Sequence, residues 1–138
     1  MKQHIHKIVI NTYKKQIIEI TKDIKELVHE SKVDNGLLNL SILHTSCSLM
    51  VQENADSTVL EDIKSFLRKL VPENIDYFHN SEGPDDMPSH IKSLLTQSNL
   101  TLSIKNREII LGTWQGIFLL EHRDSDRKRS IFFHLIGE

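Results

Sequence analysis

The apolar residues of this chain recur with two different periods, and the order in which the periods change restricts the fold more than any other feature. Strand-like segments gather at both ends and helical stripes lie between them. Ile5, Ile8 and Ile10 open one apolar segment, and Gln16 to Ile20 makes a second. Asn11-Thr12-Tyr13-Lys14-Lys15 reads as a hairpin connection between the two. Thr21 then offers an N-cap oxygen to a helix with the stripe Ile24, Leu27 and Val28. Asp34-Asn35-Gly36 reads as a turn. Leu37 to His44 alternates as a central strand. A second helix carries Val59, Leu60, Ile63, Phe66, Leu67 and Leu70, capped by Asn54 or Asp56 and ended by Pro72. A loop from Tyr77 leads to a third helix near Pro88, with Ile91, Leu94 and Leu95 as its expected buried stripe. Strands are expected over Leu100 to Ile104, Ile109 to Thr113, Ile117 to His122 and Ile131 to Ile136, with a turn at Lys105-Asn106. Strands collected at both ends imply an α+β fold with a mixed or antiparallel sheet rather than alternating βαβ units.

At 138 residues, this reads as one domain spanning 1–138. A net charge of −2 supplies no global field for nucleic acid. The apolar runs, such as Ile117 to Leu120, fall far short of the roughly 20 residues of a membrane span. The start, Met1-Lys2-Gln3-His4, lacks the apolar core of a signal peptide. A lone cysteine, Cys47, cannot form a disulfide within the chain, so a cytoplasmic protein is expected.

Five of the eight histidines follow residue 40, which directs attention to the second half. His44-Thr45-Ser46, Tyr77-Phe78-His79-Asn80, Glu82 to His90, and Glu121-His122-Arg123-Asp124 stand at element ends or in loops, where a scaffold presents side chains. If the fold gathers three of His44, His79, His90 and His122, their imidazoles suit Zn²⁺ or a similar divalent ion. The spacing equally allows hydrogen-bonded histidines at strand ends. His4 and His6 read as surface residues of an edge strand.

Glu53, Asp85, Asp86 and Glu121 are candidate acid–base groups or Mg²⁺ ligands, with helix capping the alternative for the first three. Glu121 ends an apolar strand and needs a partner there; Arg123, two residues on, is the expected one. Arg123 and Arg129 are candidate phosphate contacts, and Arg127 and Lys128 read as solvated loop residues. Trp114 either stacks an aromatic substrate or fills the core at a bulge. Cys47 reads as a small buried residue.

Taken in order, His44-Thr45-Ser46, Gln52-Glu53-Asn54-Ala55-Asp56, Tyr77-Phe78-His79-Asn80, Glu82 to His90 with Ile91-Lys92, Leu111-Gly112-Thr113-Trp114-Gln115-Gly116-Ile117, Glu121-His122-Arg123 and Gly137-Glu138 resemble the YjbQ-like family, also called the secondary thiamine-phosphate synthase family. The resemblance runs from about residue 5 to the end. It implies a small α+β fold with a mixed sheet, assembled as a homotrimer, with histidine-lined pockets near subunit boundaries that hold a metal ion. It implies an activity that joins a pyrimidine pyrophosphate to a thiazole phosphate and releases pyrophosphate. Cys47 departs from the small non-thiol residue usual there.

Together these readings make Glu121 and Arg123 the candidate catalytic pair. Thr45, Glu53, Asn54, Tyr77, Trp114 and Arg129 are the candidate substrate contacts, and His44, His79, His90 and His122 the candidate ligands of Zn²⁺ or Mg²⁺. The expected partners are a phosphorylated small molecule and two further copies of the chain, with no nucleic acid and no membrane. A metal-dependent hydrolase and a non-enzymatic trimeric binding protein are the competing functions.

Overall fold

The computed structural model describes every residue, Met1–Glu138. In chain order the elements are β1 (Lys2–Thr12), β2 (Ile17–Glu19), α1 (Thr21–Ser31), β3 (Asn35–Ile42), β4 (Cys47–Glu53), α2 (Ser57–Leu70), α3 (Asp86–Leu95), β5 (Asn99–Lys105), β6 (Glu108–Ile109), β7 (Gln115–Glu121) and β8 (Arg127–Gly137). One sheet has the order β1-β8-β3-β5-β6 and the other β2-β7-β4. Every pairing between strands is antiparallel, so of the two arrangements expected, the antiparallel one holds.

The alternation in β3 does what its pattern predicts. Leu38, Leu40 and Ile42 point inward while Leu37 and Leu43 stay exposed, and β3 lies at the centre of its sheet. Ile131, Phe133 and Leu135 of β8 join them, as do Leu49, Ile117 and Leu119 of the second sheet and Ile24 and Val28 of α1. Full burial of each such side chain is worth about 1.5–3 kcal/mol. This one core spans both sheets, and no residue of α2 or α3 belongs to it.

Several local expectations are corrected. β1 and β2 form no hairpin: β1 pairs with β8 and β2 with β7, in different sheets. Thr12 therefore continues β1 and is buried, its hydroxyl donating to Glu121 Oε1 at 2.6 Å. Gly36 lies in β3 rather than in a turn. A Cβ there would meet the Ile136 carbonyl oxygen at 2.3 Å, so its missing side chain serves a close approach to β8. Thr21 is the first residue of α1 and Ile20 its cap; the Thr21 hydroxyl instead accepts from Ile117 N–H at 2.8 Å. The strand expected over Ile109 to Thr113 is only the two-residue β6.

The largest correction concerns the faces of α2 and α3. Asp56 caps α2 by accepting from Thr58 N–H at 2.9 Å, as one of the two expected residues. Yet no residue of α2 is buried, and Phe66 and Leu70 are 64% and 54% exposed. In α3 the polar side faces inward: Asp86, Ser89 and Lys92 are buried, whereas Leu94 and Leu95 are 81% and 54% exposed. Apolar periodicity locates these helices correctly but does not say which face meets the sheets.

Candidate metal centre

The first turn of α3 and the loop before it bring three ligating groups together. His79, Asp86 and His90 present ligand atoms that all lie within 4.8 Å of one another. Asp86 and His90 stand four apart on one helix and so share a face. His79 arrives from the loop, its Nε2 2.6 Å from Asp86 Oδ2 and 3.0 Å from Glu82 Oε2. His90 Nε2 lies 3.3 Å from the same Asp86 oxygen.

His90 is oriented from its far side. Its Nδ1–H donates to the Thr45 carbonyl at 2.9 Å. A carbonyl only accepts, so Nδ1 carries the proton and a neutral His90 turns an Nε2 lone pair towards a carboxylate oxygen. Two lone pairs facing each other require a cation between them, either a proton or a metal ion. An outward-donating imidazole is also how metal-ligating histidines are commonly fixed. Two imidazoles and one carboxylate suit zinc better than magnesium, which prefers an all-oxygen set.

Arg123 holds this loop. Its Nε donates to Asp85 at 2.9 Å, Nη1 to Asp86 at 2.7 Å and Nη2 to the Glu82 carbonyl at 3.1 Å. Burial opposes ionisation of Asp86, but the His79 hydrogen bond, His90 in its protonated form and the Arg123 guanidinium outweigh it and hold its pKa below the usual carboxylate range. Burial likewise works against charge on Arg123, and Asp85 and Asp86 more than offset it. Asp86 is thus an ionised, almost fully buried group within reach of both histidines.

The family described as UPF0047 protein YjbQ-like matches residues 6–138 of this chain. The chain belongs to that family. A UPF0047 protein of Synechocystis sp. is 44% identical over 99% of this chain and 94% of its own length. A UPF0047 protein YjbQ of Salmonella typhimurium is 49% identical over 77% of each chain. A YjbQ/UPF0047-family crystal structure from Clostridium acetobutylicum superposes with a TM-score of 0.87 at 35% identity, covering 95% of this chain and 99% of its own. A YbjQ-like protein of Sulfolobus solfataricus, at 20% identity and a TM-score of 0.91, shares the fold.

The remaining motif residues of this YjbQ-like chain fall elsewhere. His44 and His122 are not in the ligand cluster. His44 Nε2 accepts from Ser130 N–H at 2.8 Å, which occupies the lone pair a metal would need. Burial, with a further push from Arg129, lowers its pKa. His122 Nε2 is hydrogen-bonded to Ser48 Oγ at 2.9 Å, deep in the protein. Glu121 does not pair with the Arg123 side chain; from that residue it accepts only the backbone N–H, at 3.1 Å. Its partner is Arg129, through Nε at 2.7 Å and Nη2 at 2.6 Å. Both residues are buried, so Arg129 is engaged inside the protein and not open as a phosphate contact.

Tyr77 does sit near the cluster: it lines a cavity of about 300 Å³ with His79, and its hydroxyl donates to the Pro72 carbonyl at 2.7 Å. Thr45 contributes its carbonyl to His90. Glu53, Asn54 and Trp114 lie at the opposite end of the β4–β7 ladder, which runs from Cys47↔Glu121 to Glu53↔Gln115. At about 3.3 Å per residue that separates them by roughly 20 Å from the Glu121 end. There Glu53 Oε2 accepts from Asp56 N–H at 3.3 Å, and Asn54 Nδ2 donates to Glu19 at 3.3 Å. Trp114 is exposed, so it does not fill the core. Asp86, expected as an acid–base group or Mg²⁺ ligand or as a helix cap, joins the two histidines in the candidate cluster, and its Asp-x-x-x-His spacing was the signal that could have grouped it with His90.

Proposed function

We propose that this chain is a metal-dependent enzyme acting on a phosphorylated small molecule, with a divalent ion, best zinc, held by His79, Asp86 and His90. The observation that carries this reading is His90, fixed by the Thr45 carbonyl so that its free nitrogen meets the ionised Asp86. An ion held there acts as a Lewis acid toward a phosphoryl or carbonyl oxygen. The protein's own part is to keep Asp86 ionised through Arg123 and to orient both imidazoles. The family resemblance suggests a transfer that joins a pyrimidine pyrophosphate to a thiazole phosphate and releases pyrophosphate. Hydrolysis of a phosphorylated compound is the competing outcome at the same centre. Incubating zinc-loaded protein with the paired substrates and identifying the products separates the two. His90→Ala should lose bound zinc and turnover together; full zinc occupancy in that variant would refute the assignment.

We further propose a homotrimer in a reducing, cytoplasmic setting. The support is the outward apolar side of two helices, with Phe66, Leu70, Leu94 and Leu95 left uncovered by their own chain. No helix is long and apolar enough to cross a membrane. Light scattering at micromolar concentration should return three times the 16.0 kDa chain mass, and a monomer would rule this out.

A further inference from the structure

Lys92 is the residue of α3 that the metal centre does not use, and its surroundings are unusual. It is 6% exposed, yet its Nζ has no hydrogen bond or ion pair within the protein. Every side-chain nitrogen or oxygen sealed from solvent has a partner, so this ammonium must keep an opening. The opening is a cavity of about 220 Å³ whose lining includes Lys92, Lys14, Lys15, Lys64, Arg68 and His122. Lys15 pairs with Glu73, and Lys64 with Glu61. The side chains of Lys14, Arg68 and Lys92 are left without a carboxylate. Glu121 also lines the cavity, but its carboxylate is occupied by Arg129 and Thr12.

Burying an unpaired ammonium is unfavourable unless something compensates. Lys15 and Arg68 add to that cost while the charges of Glu73 and Asp85 work against it without bonding the ammonium, so a packing role explains neither the lysine nor its company. A dianionic or polyanionic group does explain both: it pairs Lys92 with its missing partner and draws on Lys14 and Arg68 for bidentate or point contacts. The cavity is separate from the metal centre. Lys92 and His90 are two residues apart, which at about 100° per residue points them roughly 200° apart around the helix.

We propose that this cavity binds the phosphoryl groups of a small anion at a second site, one that shares no lining residue with the cluster of His79, Asp86 and His90. The proposal is independent of the metal assignment. The probes are inorganic pyrophosphate and phenyl phosphate, titrated calorimetrically into metal-free protein. Binding of at least one of them, at one equivalent per chain, is expected. Lys92→Met should weaken it at least tenfold while leaving the melting temperature unchanged or raised, because the variant removes an unpaired buried charge. Arg68→Met, on the exposed rim, should weaken it by a smaller factor and serves if Lys92→Met folds poorly. His90→Ala should bind the probe like the parent, which separates failure of the metal reading from failure of this one. Binding of neither probe at millimolar concentration, or parent-like binding by both Lys92→Met and Arg68→Met, would overturn the site.

Discussion

Arg129→Met should lower the unfolding free energy by about 3–5 kcal/mol, the range for removing one partner of a buried ion pair. The reason lies in what Glu121 would keep. It is 3% exposed and accepts four hydrogen bonds, two from Arg129, one from the Thr12 hydroxyl and one from Arg123 N–H. The variant strips away the only positive charge bonded to it and leaves the carboxylate buried. Ser46 loses two contacts from Arg129 Nη2 at the same time, 2.9 Å from its hydroxyl and 3.2 Å from its carbonyl. Adding Glu121→Leu should recover much of the loss, since an apolar pair of similar volume is often as stable as a buried salt bridge. Chemical denaturation of the parent, the single and the double variant measures this directly. A double variant no more stable than Arg129→Met would mean that the pair does more than neutralise itself.

The second large effect is one of pH. Burial, reinforced by the charge of Lys92, pushes the His122 pKa down from 6.5 to about 4. Below pH 6.5 the unfolded chain takes up a proton that the folded chain refuses until about pH 4, so stability falls across that window and is flat above it. At about 1.4 kcal/mol per pH unit, the loss amounts to about 3 kcal/mol. Glu121 acts in a lower range. Burial works against its charge, but Arg129 and Thr12 hold its pKa below the ordinary carboxylate value. Its contribution is therefore present above the unfolded value and is lost as pH falls through the folded one. Melting temperatures of the parent should hold from pH 7 to 6.5 and fall steadily from there to pH 4.5. The decline should be shallower for His122→Gln, which keeps a hydrogen bond to Ser48 but has no proton to gain. Parallel curves for the two proteins would show that His122 is free to protonate in the fold.

Much of this was legible in the sequence because it depends on spacing along the chain. The alternation in β3, the Asp56 cap and the element order are local, and each survives in the structure. The closeness of His79 and His90 was legible because a short loop and a helix start bring them together. The pairing of Glu121 was not, because Arg123, Arg127 and Arg129 all follow it and the choice among them depends on how two separate sheets pack, since β7 and β8 belong to different ones. Position 129 lies on β8, within reach of the β7 carboxylate, while the Arg123 side chain turns to the α3 loop. The apolar stripes of α2 and α3 misled for a related reason: periodicity reports that a face is apolar, not what will cover it. His44 and His122 were grouped with the ligands by residue type alone. What removed them was a backbone N–H and a serine hydroxyl that no spacing rule points to.

The core draws on both sheets and α1 and takes nothing from α2 or α3. The three residues of the proposed metal centre and Lys92 stand on α3 or the loop before it. The residues that form the core and the residues proposed to meet a ligand are thus different. Changes in the second group should leave most of the folding free energy intact. Substitutions on α3 and its loop can then accumulate on an unchanged scaffold, so this architecture can alter that face at low risk of unfolding.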